Sequence, residues 1–457
     1  MGAVGLSFGS PTSGAGFNVA TTVSAIVANM AAAETPYQTQ LTGLQSQDTV
    51  ISNLGTLMST LSTDMENLTG ATGVLSSLEG SSSNTDVLGL TSAGTGAVAG
   101  SHTITVQQLA QTSSVFAGAV ASTDALGGSL SIQVGTGTAV VVPVVAGATS
   151  LSDFAAAINA SSSGVTASVI TGTAGAQLSL TSGTSGATGG ITVDASQLND
   201  TTTGTALSFK TAQLGQDAMM TVDGISASSP SNTVSSVIPG VTFQLLDKSA
   251  TPVQVQITNN TTSVGTAVST FVSDYNAVVK ALTAQEANSA SGTPEPLYGN
   301  PLIATIQEGL NSAISSSQGS PSAAINLSSA GISVNSDGTL TINSDTLSTA
   351  LNSNFSSIVS LFQTAGGVGE SLASEAINLG SQQPNGVLSL SATANASEEK
   401  DLNATLTILK ANISTQSAQL TANLNAANET LQLIPTQLNE VNELYSAITG
   451  YGQTTNG

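Results

Sequence analysis

LTILKANISTQSAQLTANLNAANETLQLIPTQLNEVNELYSAI, from Leu406 to Ile448, is the stretch that decides the fold. Leu406, Ile413, Leu420, Ala427, Ile434, Val441 and Ile448 fall seven residues apart without a slip. A strict seven-residue apolar repeat keeps one face of an α-helix against a partner and makes the helix supercoil. Leu402 and Leu409 begin the second seam position, Gln416, Asn423, Thr430 and Gln437 then occupy it, and Leu444 restores the apolar choice. Pro435 lacks the amide the helix needs there and predicts a kink. Two arrangements fit this pattern. The polar seam positions and the lack of charged flanking pairs suit a helix that waits for a partner, while two amphipathic helices bundled within one chain would show the same stripe.

Outward from this segment, the opposite end of the chain repeats the theme. Ile51, Leu54, Met58, Leu61, Met65 and Leu68 alternate spacings of three and four, again the a/d seam of a heptad. Val23, Ile26, Val27 and Met30 form a shorter stripe that Pro36 should interrupt. Between the helical ends, from about Ser101 to Thr262, the apolar period drops to two. SHTITVQQLA, SLSIQVGTGTAVVVPVV, GVTASVI, AQLSLTS, MMTVDGISA, VTFQLLD and PVQVQIT read as strands, and LSDFAAAINAS as a short helix with Ser152 as its N-cap. From Val264 the helical spacing returns, with Val268, Phe271, Val272, Tyr275, Val278 and Val279 on one face.

The expected fold is therefore α+β multidomain, with a helical coiled-coil stalk formed by both chain ends and nested β-rich head domains inserted between them. The expected boundaries are 1–40 for an N-terminal leg segment, 41–98 for the N-terminal part of the stalk, and 99–122 with 213–265 for a β-rich head domain. An outer β-rich head domain is expected over 123–212, the C-terminal part of the stalk over 266–398, and a C-terminal leg helix over 399–457.

Composition removes several functions. Of the 457 residues 40% are hydrophobic and only 7% charged, yet the net charge is −22, and Cys, Trp and Arg are absent. Five scattered lysines cannot neutralise a run of phosphates, so nucleic acid is excluded as a partner, and an anionic membrane surface with it. Without cysteine there is no disulfide frame, thiol nucleophile or thiolate metal site. No basic n-region precedes an apolar run, and no apolar run is long enough to cross a membrane. Export without a cleavable signal peptide is the expectation.

Catalytic readings find little support. His102 is the single histidine, set between Ser101 and Thr103 at a strand start, where an exposed surface role is expected. SVNSDGTLTINSD, from Ser333 to Asp345, has a calcium-loop look, but Ser344 stands where a bidentate Glu is needed. A β-hairpin turning at Asp337-Gly338 explains the same residues. Gly-rich runs lack the lysine of a phosphate loop, and Asp194 and Asp223 have no evident partner. The expectation is no enzyme, no metal and no cofactor.

Several segments carry a family resemblance. VSAIVANMAAAETPYQTQLTGLQSQDTVISNLGTLMSTLSTDMENL opens at Val23, and GSHTITVQQLAQTSSVFAGAV at Gly100. MTVDGISASSPSNTVSSVIPGVTFQLLD, from Met220, contains Asp223-Gly224, Asn232-Thr233 and Ile238-Pro239-Gly240, and Phe271-Val272 and Tyr275-Asn276 follow. With NLSSAGISVNSDGTLTINSDTLSTALNSNFSSIVSLF from Asn326, these resemble the flagellar hook-associated protein 2 family, the FliD-type flagellar filament cap proteins. Residues between Leu126 and Val193 resemble a small module that recurs in flagellin and hook proteins.

The resemblance implies an extracellular, homo-oligomeric cap at the filament tip, a ring of identical subunits that is a pentamer in the family pattern. Such a cap promotes folding and insertion of exported flagellin and prevents its loss to the medium. It further implies export by the flagellar type III apparatus, a chaperone on the C-terminal helix, and contact with hook–filament junction proteins. Ile51, Leu54, Met58, Leu61, Met65, Leu68, Leu406, Ile413, Leu420, Ile434, Val441 and Ile448 are the expected oligomer and filament contacts. Another axial protein, either flagellin or a junction protein, and a surface adhesin acting in cell adhesion are the alternatives.

Overall fold

The structure, a computed structural model, describes residues 17–450 apart from 95, 147–148, 290–291, 317–325 and 382. The chain forms two units, one drawn from both of its ends (up to Gly70 and from Gly265 onward) and one running from Ala71 to Val264. In chain order the helices are α1 (Val19–Ala31), α2 (Thr35–Thr69), α3 (Leu151–Ala160), α4 (Thr261–Ala284), α5 (Pro301–Ile314), α6 (Ser344–Ser353), α7 (Phe355–Gln363), α8 (Val368–Leu379) and α9 (Val387–Thr449). All but α3 belong wholly or largely to the first unit.

In the helical unit, local signals set the helix ends. Asn18 caps α1 by accepting from the Thr21 amide at 3.0 Å. Pro36 sits in the first turn of α2, where its missing N–H costs nothing, so it separates α1 from α2 through a short 3₁₀ turn at Ala32–Glu34. The seam of α2 is buried beneath α8 and α9, with α7 also in contact. α5 lies on α8, and α1 lies along α9. Phe271 of α4 meets Phe362 of α7 edge-on, ring centres 6.1 Å apart. The expected hairpin is present: Ile332–Val334 pairs with Leu340–Ile342, and Asp337 closes the turn by accepting from the Thr339 amide at 3.0 Å. Asn276 of α4 grips this hairpin at two points, its Oδ1 accepting from the Leu340 amide (2.6 Å) and its Nδ2 donating to the Leu340 carbonyl (2.8 Å).

The β-rich unit is built around an eight-stranded antiparallel sheet. Its spatial order is Ile225–Ser229, Ala218–Val222, Gly100–Gln108, Val253–Asn259, Leu78–Ser82, Leu88–Ala93, Val241–Leu245 and Thr233–Val234. The two outermost strands, Ile225–Ser229 and Thr233–Val234, are separated in sequence by residues 230–232 alone. A flat sheet of this size would hold them about 34 Å apart, whereas a link that short spans at most about 14 Å. The sheet is therefore rolled, and Ile104, Val106, Met220, Phe243, Val255 and Ile257 fill its inside. Asn232 closes the roll. Its Oδ1 accepts from the Ala110 amide (2.7 Å), its Nδ2 donates to the Ala110 carbonyl (3.0 Å), and its own carbonyl accepts from the Leu245 amide (2.8 Å).

A second layer is nested within the first. The chain leaves the rolled sheet at Gln111 and returns at Gln216, and these two residues exchange backbone hydrogen bonds of 2.8 and 3.2 Å. The intervening residues form a four-stranded sheet in the order Phe209–Gln213, Thr112–Ala117, Gly175–Ser185, Val165–Gly172, and a three-stranded one in the order Ile191–Asp194, Ser129–Val134, Val140–Pro143. α3 covers their shared core through Leu151, Phe154 and Ile158. Asn159 of α3 repeats the two-point grip, accepting from the Ala167 amide (2.7 Å) and donating to the Ala167 carbonyl (2.9 Å).

Several expectations change. Residues 78–93, assigned to the stalk within 41–98, supply two strands of the rolled sheet. Their Gly/Ser/Thr-rich sequence has almost no apolar alternation, and cross-strand pairing holds them in place, Leu78–Ser82 with Val253–Asn259 and Leu88–Ala93 with Val241–Leu245. Thr112–Ala117, assigned to the inner head within 99–122, pairs instead with outer strands, because the crossing falls at Gln111. MMTVDGISA is a hairpin, not one strand, with both Asp223 (φ 52°) and Gly224 (φ 82°) in the left-handed region that a type I′ turn requires. The cap of α3 is Ser150, which accepts from the Asp153 amide at 3.1 Å, and not Ser152. The long last helix begins at Val387, ahead of the expected 399, and continues through Pro435, which removes one hydrogen bond without ending it.

Asn232→Ala should destabilise the rolled sheet by about 1–3 kcal/mol, since it removes two hydrogen bonds and strands both backbone groups of Ala110. Denaturation of the full chain together with faster hydrogen exchange at the Ala110 amide would register the loss.

Candidate functional site: the helical seams

The two predicted seams meet different fates. Ile51, Leu54, Met58, Leu61, Met65 and Leu68 are each no more than 2% exposed. They sit under α8 and α9 of the same chain, so the contact with other subunits expected at these six residues is corrected to packing within the protomer. Periodicity says that a face is covered and is silent about what covers it. Asp48 of α2 adds a polar tie here, accepting from Asn395 Nδ2 of α9 at 2.7 Å.

Along α9 the burial fades in sequence order. Leu406 and Ile413 are 6% and 8% exposed, Leu420 and Ile434 are half-buried, and Val441 and Ile448 are 61% and 75% exposed. α1 accounts for the middle stretch. Lys410 Nζ approaches Glu34 Oε2 at 3.9 Å, and the Phe17 amide donates to Asn428 Oδ1 at 2.9 Å, so α1 and α9 run antiparallel between these points. Beyond Asn428, Leu433, Leu438, Val441, Leu444, Tyr445 and Ile448 all project into solvent. About 30 Å of helix, from Asn428 to Thr449, thus carries an exposed apolar stripe. What such a stripe can do is bind another protein surface.

The chemistry-bearing residues form no comparable arrangement. His102 Nδ1 lies 2.7 Å from Asp223 Oδ2, a partner for Asp223 that the sequence did not reveal. Asp223 also accepts from the Thr103 amide at 2.8 Å, and these bonds, the one to His102 foremost, hold its carboxyl below the usual carboxylate range. The bond ties the strand at His102 to the turn at Asp223-Gly224. Among the described residues, no group of three or more His, Cys, Asp or Glu side chains is placed to hold a metal ion. No described helix is long and apolar enough to cross a membrane.

Comparison with known proteins assigns this architecture. Residues 215–447 match the family model described as flagellar hook-associated protein 2 C-terminus, which covers more than half of the chain. The chain belongs to the flagellar hook-associated protein 2 family. Residues 15–113 match the N-terminal model of the same hook-associated protein 2 family, and residues 129–184 match the flagellin hook IN motif, within the nested outer layer. The polar flagellar hook-associated protein 2 of Vibrio parahaemolyticus is 30% identical over 162 residues, 34% of this chain and 24% of that protein. The B-type flagellar hook-associated protein 2 of Pseudomonas aeruginosa is 27% identical over 237 residues, 50% of this chain and 46% of that protein. The chain thus spans less than half the length of either curated relative in these alignments. Among solved structures, the D1-D2-D3 domains of the flagellar cap protein FliD from Escherichia coli superpose with a TM-score of 0.56 at 26% identity, covering 76% of this chain and 99% of that one.

The two seams should respond oppositely to charge. Leu61→Asp buries an unpaired carboxylate and should cost the helical unit more than about 3 kcal/mol, whereas Val441→Asp and Ile448→Asp should each stay within about 0.5 kcal/mol. Thermal unfolding of the three variants by circular dichroism distinguishes them.

Proposed function

We propose that this chain caps a bacterial flagellar filament, working outside the cell as a homo-oligomer at the filament tip without catalysing a covalent step. The observation that carries this reading is the open apolar stripe on the last turns of α9, joined to a folded head built from nested β layers. Family membership and the likeness to the Escherichia coli cap domains support it. In this reading the free end of α9 contacts neighbouring copies and the filament, with Leu420, Ile434, Val441 and Ile448 as the contact residues. The α2 seam and the Leu406–Ile413 segment hold each leg to its own subunit. A ring, of five subunits by family resemblance, would shelter flagellin as it emerges and folds. Weak helix contacts, each broken and remade, would let the ring advance as subunits insert beneath it.

The reading extends to partners. Flagellin and the hook–filament junction proteins meet the assembled ring. A chaperone covers the α9 stripe before export, since an exposed seam of that length invites premature association. Export proceeds through the flagellar type III route.

A strain lacking the chain should carry bare hooks and release monomeric flagellin into the medium, and added purified protein should restore filaments. Filaments of normal length in that strain would reject the cap. The double variant Val441→Asp/Ile448→Asp should remain folded yet show a smaller oligomer mass by sedimentation and a longer delay in filament growth.

A further inference from the structure

The four-stranded sheet of the outer layer ends on one side at Val165–Gly172. This strand pairs with Gly175–Ser185 across a turn at Thr173-Ala174, from Gly172 opposite Gly175 to Val165 opposite Ser182. Antiparallel partners alternate between pairs that exchange both backbone hydrogen bonds and pairs that exchange none. The pair flanking a two-residue turn is of the bonded kind, so Gly172, Ile170, Ser168 and Thr166 bond inward to Gly175–Ser185. Ala167, Val169 and Thr171 therefore turn their amides and carbonyls outward, to the side where the sheet ends. Asn159 of α3 fixes this phase independently, since it reaches the Ala167 amide at 2.7 Å and the Ala167 carbonyl at 2.9 Å.

Sheets protect an edge of this length with a charged side chain, a proline or a bulge. VTASVITG has no charge and no proline, and its ladder runs without a register shift. The protection comes from off the strand, because the Asn159 carboxamide offers an acceptor and a donor where a neighbouring strand would place its backbone. We infer that Asn159 guards this edge, and that Val165–Gly172, once released by Asn159, pairs antiparallel with the same strand of a second copy. Such a pair has a two-fold axis, here through Val169, so Ala167 of each copy meets Thr171 of the other. With Ala167 held in both copies only the central Val169 pair stays open, roughly two hydrogen bonds where the full join makes roughly six. A second copy suits the edge because Thr166, Ser168 and Ile170, exposed on its outer face, bring no like charges together in a chain of net charge −22. The guard acts within the outer layer, whether or not the chain caps a filament.

The chain has no cysteine, so introduced thiols report the pairing without background. Ser168 and a second copy's Ile170 stand directly opposite in the inferred register, close enough for a disulfide. Full-length Ser168→Cys, Ile170→Cys and their mixture are mildly oxidised, with Asn159 intact and with Asn159→Ala, and dimers are read by non-reducing electrophoresis. The mixture should give roughly tenfold or more dimer with Asn159→Ala than with Asn159 intact, and more than either cysteine variant alone. Equal yields in the two backgrounds would overturn the guard. Dimer formed as readily by Ile170→Cys alone as by the mixture would overturn the register and with it the pairing. Should Asn159→Ala fold poorly, Asn159→Asp keeps the acceptor for the Ala167 amide and loses only the donor to its carbonyl. A mixed yield above that of the intact chain then supports the guard, and a yield equal to it overturns the inference.

Discussion

The rest of the molecule depends on one buried seam, the apolar face of α2 from Ile51 to Leu68 closing against helices from the far end of the chain. Everything from Ala71 to Val264 is thereby an insertion whose two ends are tied together. Closing a loop of that length costs about 5 kcal/mol in chain entropy. Burial of these six side chains contributes on the order of 10 kcal/mol, enough to hold the ends together. Within the insertion the same logic recurs at smaller scale. The bonds between Gln111 and Gln216 close the neck of the outer layer.

A chain with five lysines and no arginine cannot brace itself with ion pairs. Its one described Lys–carboxylate contact, Lys410 with Glu34, lies at 3.9 Å with the lysine largely exposed, a geometry that contributes little. Asparagine takes over the bracing. Asn159, Asn232 and Asn276 each hold the amide and the carbonyl of a single distant residue, pinning a helix to a strand, a loop to a strand end and a helix to a hairpin. An amide is neutral at every pH and indifferent to salt, so these joints keep their strength where ion pairs would be screened.

Much of this was legible in the sequence, and the exceptions have physical causes. The helical ends, the β-rich middle and the nested order followed from a change in apolar period, and the family resemblance followed from ordered segments. The seam on α2 was visible, but spacing cannot distinguish a partner in the same chain from one in another. For α9 a usable signal existed. Its second seam position turns polar at Gln416, close to where burial begins to fade after Ile413. The strands over 78–93 gave no signal, because hydrogen bonding to Val253–Asn259 and Val241–Leu245 defines them and their own side chains do not. Asn232 and Asn276 stand out in the sequence only through the family likeness, since in so asparagine-rich a chain nothing local marks the residue that grips a distant backbone. The contact between His102 and Asp223 joins a strand to a turn far along the chain and could not be read from either neighbourhood.

The rolled sheet has a consequence for crowding. An open β-sheet ends in two rows of unsatisfied amides and carbonyls that recruit strands from other molecules, which is how cross-β aggregates start. Here the short link over residues 230–232 draws the two terminal strands toward each other, and Asn232 occupies backbone groups on both sides of the seam. At high local concentration the rolled sheet therefore offers a neighbouring copy less open strand edge than a flat sheet of the same eight strands would.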